Sequence, residues 1–397
     1  MISKKAKALK PSPTLALAAK AKELATSGRD VISLSVGEPD WDTLPSAKKA
    51  GLEAIEKGVT KYTPANGTPD LRKLIAEQTS QDLKLEYKAD DVTVSSGGKM
   101  VIYIALQTIL DEGDEVIIPA PYWVSYPVQV ELAGGRNIFV PTTLETQFKM
   151  TALQLEKAIT PKTKLLIFNS PSNPTGLMYT EAELKSLADV LKKHPHVYIL
   201  SDDIYNRLVF EGELAPHLLQ VAPELKDRVL VMNGASKTYS MTGWRVGWAL
   251  GPQAWIKAMT NYASQSVSQA ASMSQAATAA AIKNCGAELK ASLVELKKRR
   301  DMAVEKMKSI PLLETLPPDG AFYLWPDIRK TFGKKFNGKT ISNSSDFSAL
   351  LLEEKNVAVV PGVEFGMDGY IRMSFALNEK RMGEAIDRIR DFVITLQ

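Results

Sequence analysis

The chain has 397 residues, 45% hydrophobic and 24% charged, which is ordinary for a globular protein. Its net charge is +4 with scattered lysines and arginines, so no nucleic acid partner is expected. No apolar run reaches the roughly 18 residues that cross a bilayer, and no apolar segment follows the basic N-terminus, so neither a membrane span nor a secretory signal is predicted. A single cysteine, Cys285, fits a reducing compartment, and a cytoplasmic protein is expected. The three histidines lack metal-ligand spacing, so no metal site is expected.

The chain begins with a helical pattern over Leu15–Thr26, followed by the strand-like segment VISLSVGEPD. Beyond it, short apolar runs alternate with helical patterns such as Lys99–Leu110 and Glu181–Lys193. This alternation is typical of an α/β fold with a mostly parallel sheet. The predicted strands are Val92–Val94, Val116–Ile118, Ile138–Val140, Leu165–Phe168, Val197–Leu200, Val229–Met232 and Val246–Leu250.

The C-terminal part has a different pattern. A long helix is predicted over Ala287–Ile310, then the strand-like pieces AFYLW, VAVVP and YIRMSFA, and a last helix over Glu379–Leu396. We therefore predict a large domain over residues 45–297 and a smaller α/β domain formed by residues 1–44 and 298–397.

Five predicted strands are followed by polar, glycine-rich or aromatic segments: SSGGK, PAPYW, NSPSNPTG, SDDIY and NGASK. Ligands of open parallel sheets bind beyond the carboxyl ends of the strands. The five segments together predict one large site.

Taken singly, each of these residues also has a structural interpretation. Gly97 and Gly98 could simply begin a helix, or their free backbone N–H groups could hold a phosphate. Asp202 could cap a turn or pair with a buried cation. Asn173 could lie in a bare turn, and Trp123 could be a core aromatic; alternatively they offer an amide and a flat ring to a ligand.

Two cations stand among small and apolar residues in GASKTYSMTGWRVGW, Gly234 to Trp248. Lys237 follows a predicted strand, so it is either a surface lysine or a desolvated lysine able to form a Schiff base. Arg245 suits bidentate phosphate binding. Arg372, in the alternating segment YIRMSF, is either an exposed strand arginine or one that requires a carboxylate partner.

The segments GASKTYSMTGWRVG, NPTG, SDDIY and GGK together resemble the motifs of the pyridoxal phosphate-dependent aminotransferases of class I/II, which have fold type I. The resemblance extends from LKPSPTLAL to YIRMS, and within the family it is to the bacterial aspartate aminotransferases. It implies a large domain with a seven-stranded, mostly parallel sheet between helices, a smaller α/β domain, and an N-terminal segment that forms part of an active-site lid. Asp203 stands where this subgroup usually has glutamate.

The resemblance also implies roles around the cofactor, pyridoxal 5'-phosphate. Lys237 would hold it as a Schiff base and shuttle the substrate proton, and Asp202 would pair with the ring nitrogen. Tyr205 and Asn173 would bind the ring oxygen, and Trp123 would stack on the ring. The remaining cofactor-binding residues would be Gly97, Gly98, Lys99, Ser236, Arg245 and, from the neighbouring subunit of a homodimer, Tyr62.

Substrate-binding roles follow from the same resemblance. Arg372 and the backbone of Gly37 would bind the α-carboxylate, and Lys99 would bind a side-chain carboxylate. Lys10 and Thr14 would belong to the lid, and Trp123 and Asn173 would also contact the substrate. The implied reaction is ping-pong transfer of the amino group of aspartate to 2-oxoglutarate. The alternatives are an aromatic amino acid or prephenate aminotransferase, a β-lyase using the same cofactor, and a non-catalytic regulatory module that binds it.

Overall fold

The seven predicted strands pair into a single sheet in the computed structural model, which describes residues 2–397. The strands of the chain are β1 Ile32–Ser33, β2 Val92–Ser95, β3 Glu115–Ala120, β4 Arg136–Pro141, β5 Thr163–Asn169, β6 Tyr198–Asp202, β7 Val229–Gly234, β8 Gly247–Leu250, β9 Tyr323–Leu324, β10 Lys335–Phe336, β11 Lys339–Thr340, β12 Val357–Ala358, β13 Val360–Pro361 and β14 Ile371–Ser374. The sheet has the order β2-β8-β7-β6-β5-β3-β4, and β8 runs in the opposite direction to the other six strands. The predicted α/β fold with a mostly parallel sheet is confirmed.

Helices connect the strands and cover both faces of this sheet, so that two apolar clusters form, one on each side. The helices are α1 Lys4–Ala8, α2 Pro13–Thr26, α3 Pro45–Glu56, α4 Pro69–Leu83, α5 Gly98–Ile109, α6 Ser125–Leu132, α7 Ala152–Ala158, α8 Glu181–Lys193, α9 Leu218–Val221, α10 Ala235–Thr238, α11 Gln253–Ser266, α12 Ser272–Asn284, α13 Gly286–Lys308, α14 Ser344–Lys355 and α15 Glu379–Ile394.

Local capping explains why some helices begin where the sequence predicts. Thr180 accepts a hydrogen bond from the backbone N–H of Glu183, whose carboxylate accepts one from the backbone N–H of Thr180 in return. This capping box fixes the start of α8, which has the predicted bounds. At α5, Gly97 precedes the helix with φ of +89°, a conformation that favours glycine.

The C-terminal part has its own apolar cluster and a three-stranded sheet of order β13-β14-β9. The N-terminal segment joins it, because β1 pairs in parallel with β12 through Ile32 and Val357. Leu289, near the start of α13, packs against both this cluster and one cluster of the large sheet. The domain bounds at residues 44/45 and 297/298 stay a prediction.

Two features of the described residues concern membranes and metal ions. None of the helices there is long and apolar enough to span a bilayer. Within the same residues, no group of three or more histidine, cysteine, aspartate or glutamate side chains could hold a metal ion.

Candidate active site

A cavity of about 710 Å³ lies at the carboxyl edge of the large sheet, between the sheet, α2 and the C-terminal part. Each of the five polar segments predicted to follow a strand contributes a side chain or backbone to its wall. The lining includes Thr14, Gly37, Gly98, Lys99, Trp123, Asn173, Asp202, Tyr205, Ser236, Lys237, Arg245 and Arg372. The structure therefore brings most of the predicted site residues together.

Arg245 reaches this edge because β8 is antiparallel to β7, so the start of β8 lies beside the ends of the parallel strands. Its Nη1 donates to the carbonyl of Thr242 at 2.8 Å, and the guanidinium forms no ion pair with any described residue. Gly97 leaves room for it, since a Cβ there would lie 2.5 Å from Arg245 Nη2. The arginine, the glycine and the adjacent start of α5 form a cradle suited to an anion.

Lys237 follows β7, on the short helix α10, and its Nζ donates a hydrogen bond to the carbonyl of Gly37. Burial lowers the pKa of Lys237 to about 8. Glu38 opposes this shift, whereas the positive charges of Arg372 and Arg245 add to it. A lysine of this pKa is partly neutral near pH 8, so it can act as a nucleophile or a base.

Asp202 ends β6 and is only 4% exposed. Tyr126 donates its hydroxyl to Asp202 Oδ2 at 2.6 Å, and the backbone N–H of Ile204 donates to Oδ1 at 3.2 Å. No described cation lies within ion-pair distance of this carboxylate. Burial raises the pKa of Asp202 to about 7 despite these hydrogen bonds. A buried carboxylate of this kind fits a cationic ligand group.

Arg372 lies on β14 and is 3% exposed. Its Nη1 donates to Asn173 Oδ1 at 2.9 Å and its Nη2 to the carbonyl of Ser35 at 2.8 Å, while its buried Nε has no partner in the described structure. The guanidinium packs on the ring of Tyr323 at 4.5 Å and on that of Phe365 at 5.0 Å. Since a buried arginine without an anion is costly, this geometry favours a carboxylate ligand.

Lys99 supplies a further unpaired cation. Its Nζ lies 5.2 Å from the centre of the Trp123 ring, and burial together with the charge of Arg245 lowers its pKa. It forms no ion pair with a described residue. The cavity thus holds Lys99, Lys237, Arg245 and Arg372 without direct carboxylate partners, an electrostatic environment that favours ligands with several negative charges.

Tyr205 and Gly37 meet at one residue that the sequence did not indicate, Tyr323. The hydroxyls of Tyr205 and Tyr323 lie 2.9 Å apart. A Cβ at Gly37 would lie 2.8 Å from Tyr323 Oη, so only glycine fits beside this hydroxyl.

Three predicted site residues do not line the cavity. Gly97 supports Arg245 from behind, Lys10 is exposed in the segment between α1 and α2, and Tyr62 is 91% exposed on the loop between α3 and α4. For Tyr62 this exposure is compatible with the expected contact to a second subunit.

Sequence reasoning missed Tyr126, Asn169, Tyr323 and Glu38, all of which line the cavity. Asn169 donates to the carbonyl of Asp202 at 2.8 Å and accepts from the N–H of Asn173 at 2.9 Å, so it ties two strand ends together. A signal existed for Tyr126, since it follows Trp123 by three residues at a helix start and the two rings pack at 5.3 Å. Tyr323 needs the tertiary fold, because it comes from a different sheet.

The residues present fit pyridoxal phosphate. Lys237 would hold it covalently. The buried carboxylate of Asp202, which has no described cation as partner, would pair with the ring nitrogen. Ser236, Gly98 and Arg245 line the same wall and suit its phosphate. The indole of Trp123 lies in the lining and can cover a flat ring.

Comparisons with known proteins agree with this geometry. Residues 29–389 match the family model described as aminotransferase class I and II. A probable aspartate/prephenate aminotransferase of Rickettsia bellii is 47% identical over 390 residues, 98% of each chain. An aspartate/prephenate aminotransferase of Cereibacter sphaeroides is 47% identical over 385 residues, 97% of this chain and 96% of its own.

Solved structures are also similar over the whole chain. The aspartate aminotransferase from Rhizobium meliloti superposes with a TM-score of 0.96 at 40% identity, covering 100% of both chains. The Thermus thermophilus aspartate aminotransferase with maleate gives 0.92 at 37% identity, covering 99% of both. These similarities confirm the predicted fold class.

Proposed function

The chain belongs to the class I and II aminotransferases, which depend on pyridoxal phosphate, and from that premise we propose that it transfers the amino group of aspartate to 2-oxoglutarate. One observation carries this substrate choice. Lys99 and Arg372 lie in the cavity that holds Lys237, and neither forms an ion pair with a described carboxylate. A dicarboxylic amino acid has one carboxylate for each. The names of the relatives and the maleate in a solved neighbour support the same class of substrate.

Each residue then has a task that its surroundings support. Arg372, fixed by Asn173 and Ser35, binds the α-carboxylate. Lys99 binds the side-chain carboxylate. The bound cofactor supplies an electron sink that makes the Cα proton of the substrate removable.

Proton transfer falls to Lys237, whose pKa of about 8 leaves part of it neutral and able to accept the Cα proton. Asp202 would stabilise a positive charge on the cofactor's ring nitrogen, and the hydrogen bond from Tyr126 holds its carboxylate in place. After the first product leaves, the same residues act in reverse on the 2-oxoacid, which makes the kinetics ping-pong.

Prephenate is the second candidate acceptor, because the curated relatives carry it in their names. The α2 wall of the cavity supports this choice, since three of the residues that line it, Thr14, Ala18 and Ala21, have small side chains. The other alternative is an aromatic amino acid aminotransferase on the same scaffold. It would not need Lys99, because an aromatic side chain has no carboxylate.

The enzyme is proposed to act as a homodimer in the cytoplasm. Support for the dimer comes from Leu52, Ile55, Val59 and Tyr62, which form a run of exposed apolar residues on and after α3. In this assembly Tyr62 would bind the phosphate of the other subunit's cofactor. The buried, single Cys285 fits a reducing compartment.

A matrix of amino donors and 2-oxoacid acceptors, read by single-turnover kinetics on cofactor-saturated enzyme, tests the proposal. We expect aspartate with 2-oxoglutarate to give the highest kcat/KM, with prephenate accepted from either dicarboxylic donor. Lys237→Ala is the blank and should lose turnover together with the visible absorption band of the covalently bound cofactor. A wild-type preference for phenylalanine over aspartate would overturn the substrate assignment, and elimination products would indicate a lyase.

A further inference from the structure

Three buried polar side chains lie behind Asp202, outside the catalytic cavity: Ser201, Asp203 and His217. Ser201 donates its hydroxyl to Asp203 Oδ1 at 2.6 Å. His217 Nε2 lies 3.3 Å from Asp203 Oδ2 and 3.2 Å from Ser201 Oγ. None of the roles described above uses this cluster.

Hydrogen bonding fixes where the proton of His217 resides. The histidine caps α9, and its Nδ1 accepts the backbone N–H of Leu219 at 3.0 Å. Nδ1 therefore carries no proton, and the Nε2–H donates toward Asp203 and Ser201. Burial lowers the pKa of His217 to about 4, so the ring is neutral at physiological pH. Asp203 accordingly faces two neutral donors and no cation from this side.

The other groups around Asp203 do not compensate its charge either. Asp82 adds negative charge but is itself paired with Arg207 at 2.5 Å. The buried hydroxyl of Tyr87 lies close enough for the charge of Asp203 to raise its pKa. Burial raises the pKa of Asp203 to about 7, with Asp82 adding to the shift and the Ser201 hydrogen bond opposing it.

The side chains of Asp203 and Asp202 point to opposite faces of the sheet. The two are consecutive at the end of β6, where successive side chains point to opposite faces, and the bond between Ser201 and Asp203 places those two on the face away from the cavity. The negative charge of Asp203 raises the pKa of Asp202. Lys237 lies on the cavity side and feels Asp202 in turn.

We propose that Asp203, held by Ser201 and His217, is a positioning residue whose negative charge behind Asp202 strengthens the binding of the proton on the cofactor's ring nitrogen. The inference rests on the proposed function, because Asp202 meets that nitrogen only in an enzyme that binds pyridoxal phosphate. Asp203 touches neither substrate nor cofactor and acts through Asp202. Above about pH 7 the Asp203 carboxylate is ionised, and the neutral His217 then donates to it without cancelling its charge.

The test is a pH titration of the ring nitrogen of the bound cofactor in Asp203→Asn, followed by ¹⁵N NMR with pyridoxal phosphate labelled at that nitrogen. Losing a negative charge lowers the pKa of nearby protonated groups, so we expect the midpoint to fall by about half a pH unit or more. Asp203→Glu restores the charge and should restore the midpoint. Asp227→Asn is the matched control, since it removes a carboxylate on the exposed surface and should leave the midpoint unchanged.

A second variant covers the case in which Asp203→Asn folds poorly. His217→Asn keeps an acceptor for the Leu219 N–H but loses the donor to Asp203, and it should shift the midpoint in the same direction by less. Lower melting temperatures with an unmoved midpoint in both variants would leave the cluster a purely structural role and overturn the inference. If the wild type binds no cofactor, the proposed function fails instead, so the two failures are distinguishable.

Discussion

At the level of single residues, the site contains ionisable groups whose pKa values are shifted by burial, which favours the uncharged form of each group. Lys237 has a pKa lowered to about 8 and Asp202 one raised to about 7. Burying either group lowers the stability of the protein without its cofactor. A cofactor with an aldehyde for Lys237 and a basic ring nitrogen for Asp202 would relieve both effects. We infer that these buried groups reduce the free energy of unfolding of the cofactor-free protein.

The stability of the cofactor-free protein should show this cost. Because the pKa of Asp202 rises from 3.8 to about 7, the folded state binds more protons than the unfolded state between those values, and stability falls as pH rises through them. Asp203 acts in the same direction.

Asp202→Asn should remove part of this slope, roughly 3 kcal/mol between pH 4 and pH 7.5. Urea unfolding at the two pH values measures it, with the exposed Asp189→Asn as control. A slope that stays as steep in Asp202→Asn as in the wild type would show that Asp202 is not the group that titrates.

At the level of elements, the sequence predicts what local chemistry determines. All seven strands of the large sheet and the bounds of α8 could be read from apolar runs and a capping box, since neither depends on distant contacts. The C-terminal strands were less predictable. Of AFYLW only Tyr323–Leu324 pairs, and VAVVP divides into β12 and β13, which pair with different sheets. The choice of β12 depends on β1, at the other end of the chain, which the local sequence does not encode.

The start of α5 permits a prediction about cofactor binding. Gly97→Ala should weaken cofactor affinity by roughly tenfold or more, because the new Cβ would lie 2.5 Å from Arg245 Nη2 and displace the proposed phosphate ligand. Equilibrium titration with pyridoxal phosphate measures the effect.

Gly113→Ala is the matched control for this variant. Gly113 has φ of +85°, close to the +89° of Gly97, yet a Cβ there would meet no atom within 4 Å. It carries the same backbone strain without touching the site. Equal losses of affinity in both variants would attribute the effect to strain and remove the case for the cradle.

At the level of the whole molecule, twelve of the fifteen site residues predicted from the sequence line one cavity. Two tyrosines of the same cavity, Tyr126 and Tyr323, were not predicted. Motifs at strand ends converge wherever the sheet is parallel, which made Lys237, Asp202 and Asn173 predictable. Tyr323 lies on β9, beside the β14 strand of Arg372, and Ser35 follows β1, so only the tertiary fold places them beside Arg372. Tyr62 is 91% exposed and does not line the cavity of its own chain.

Mixed dimers test the proposed sharing of sites. In a dimer of one Tyr62→Phe subunit and one Lys237→Ala subunit, the subunit that keeps Lys237 receives an intact Tyr62 from its partner. We expect this one site to bind cofactor as tightly as a wild-type site, whereas the Tyr62→Phe homodimer binds more weakly. If the mixed dimer is as weak as that homodimer, Tyr62 acts within its own subunit and the shared site is refuted.

The central claim, a dicarboxylate aminotransferase, is tested most directly by kcat/KM for aspartate and for phenylalanine in Lys99→Ala. Losing the cation that pairs with the side-chain carboxylate should reduce the value for aspartate by roughly a hundredfold and change that for phenylalanine only a few-fold. Lys22→Ala, which removes another lysine from the cavity wall, is the control and should alter neither selectively. Equal losses for both substrates in Lys99→Ala would contradict the account.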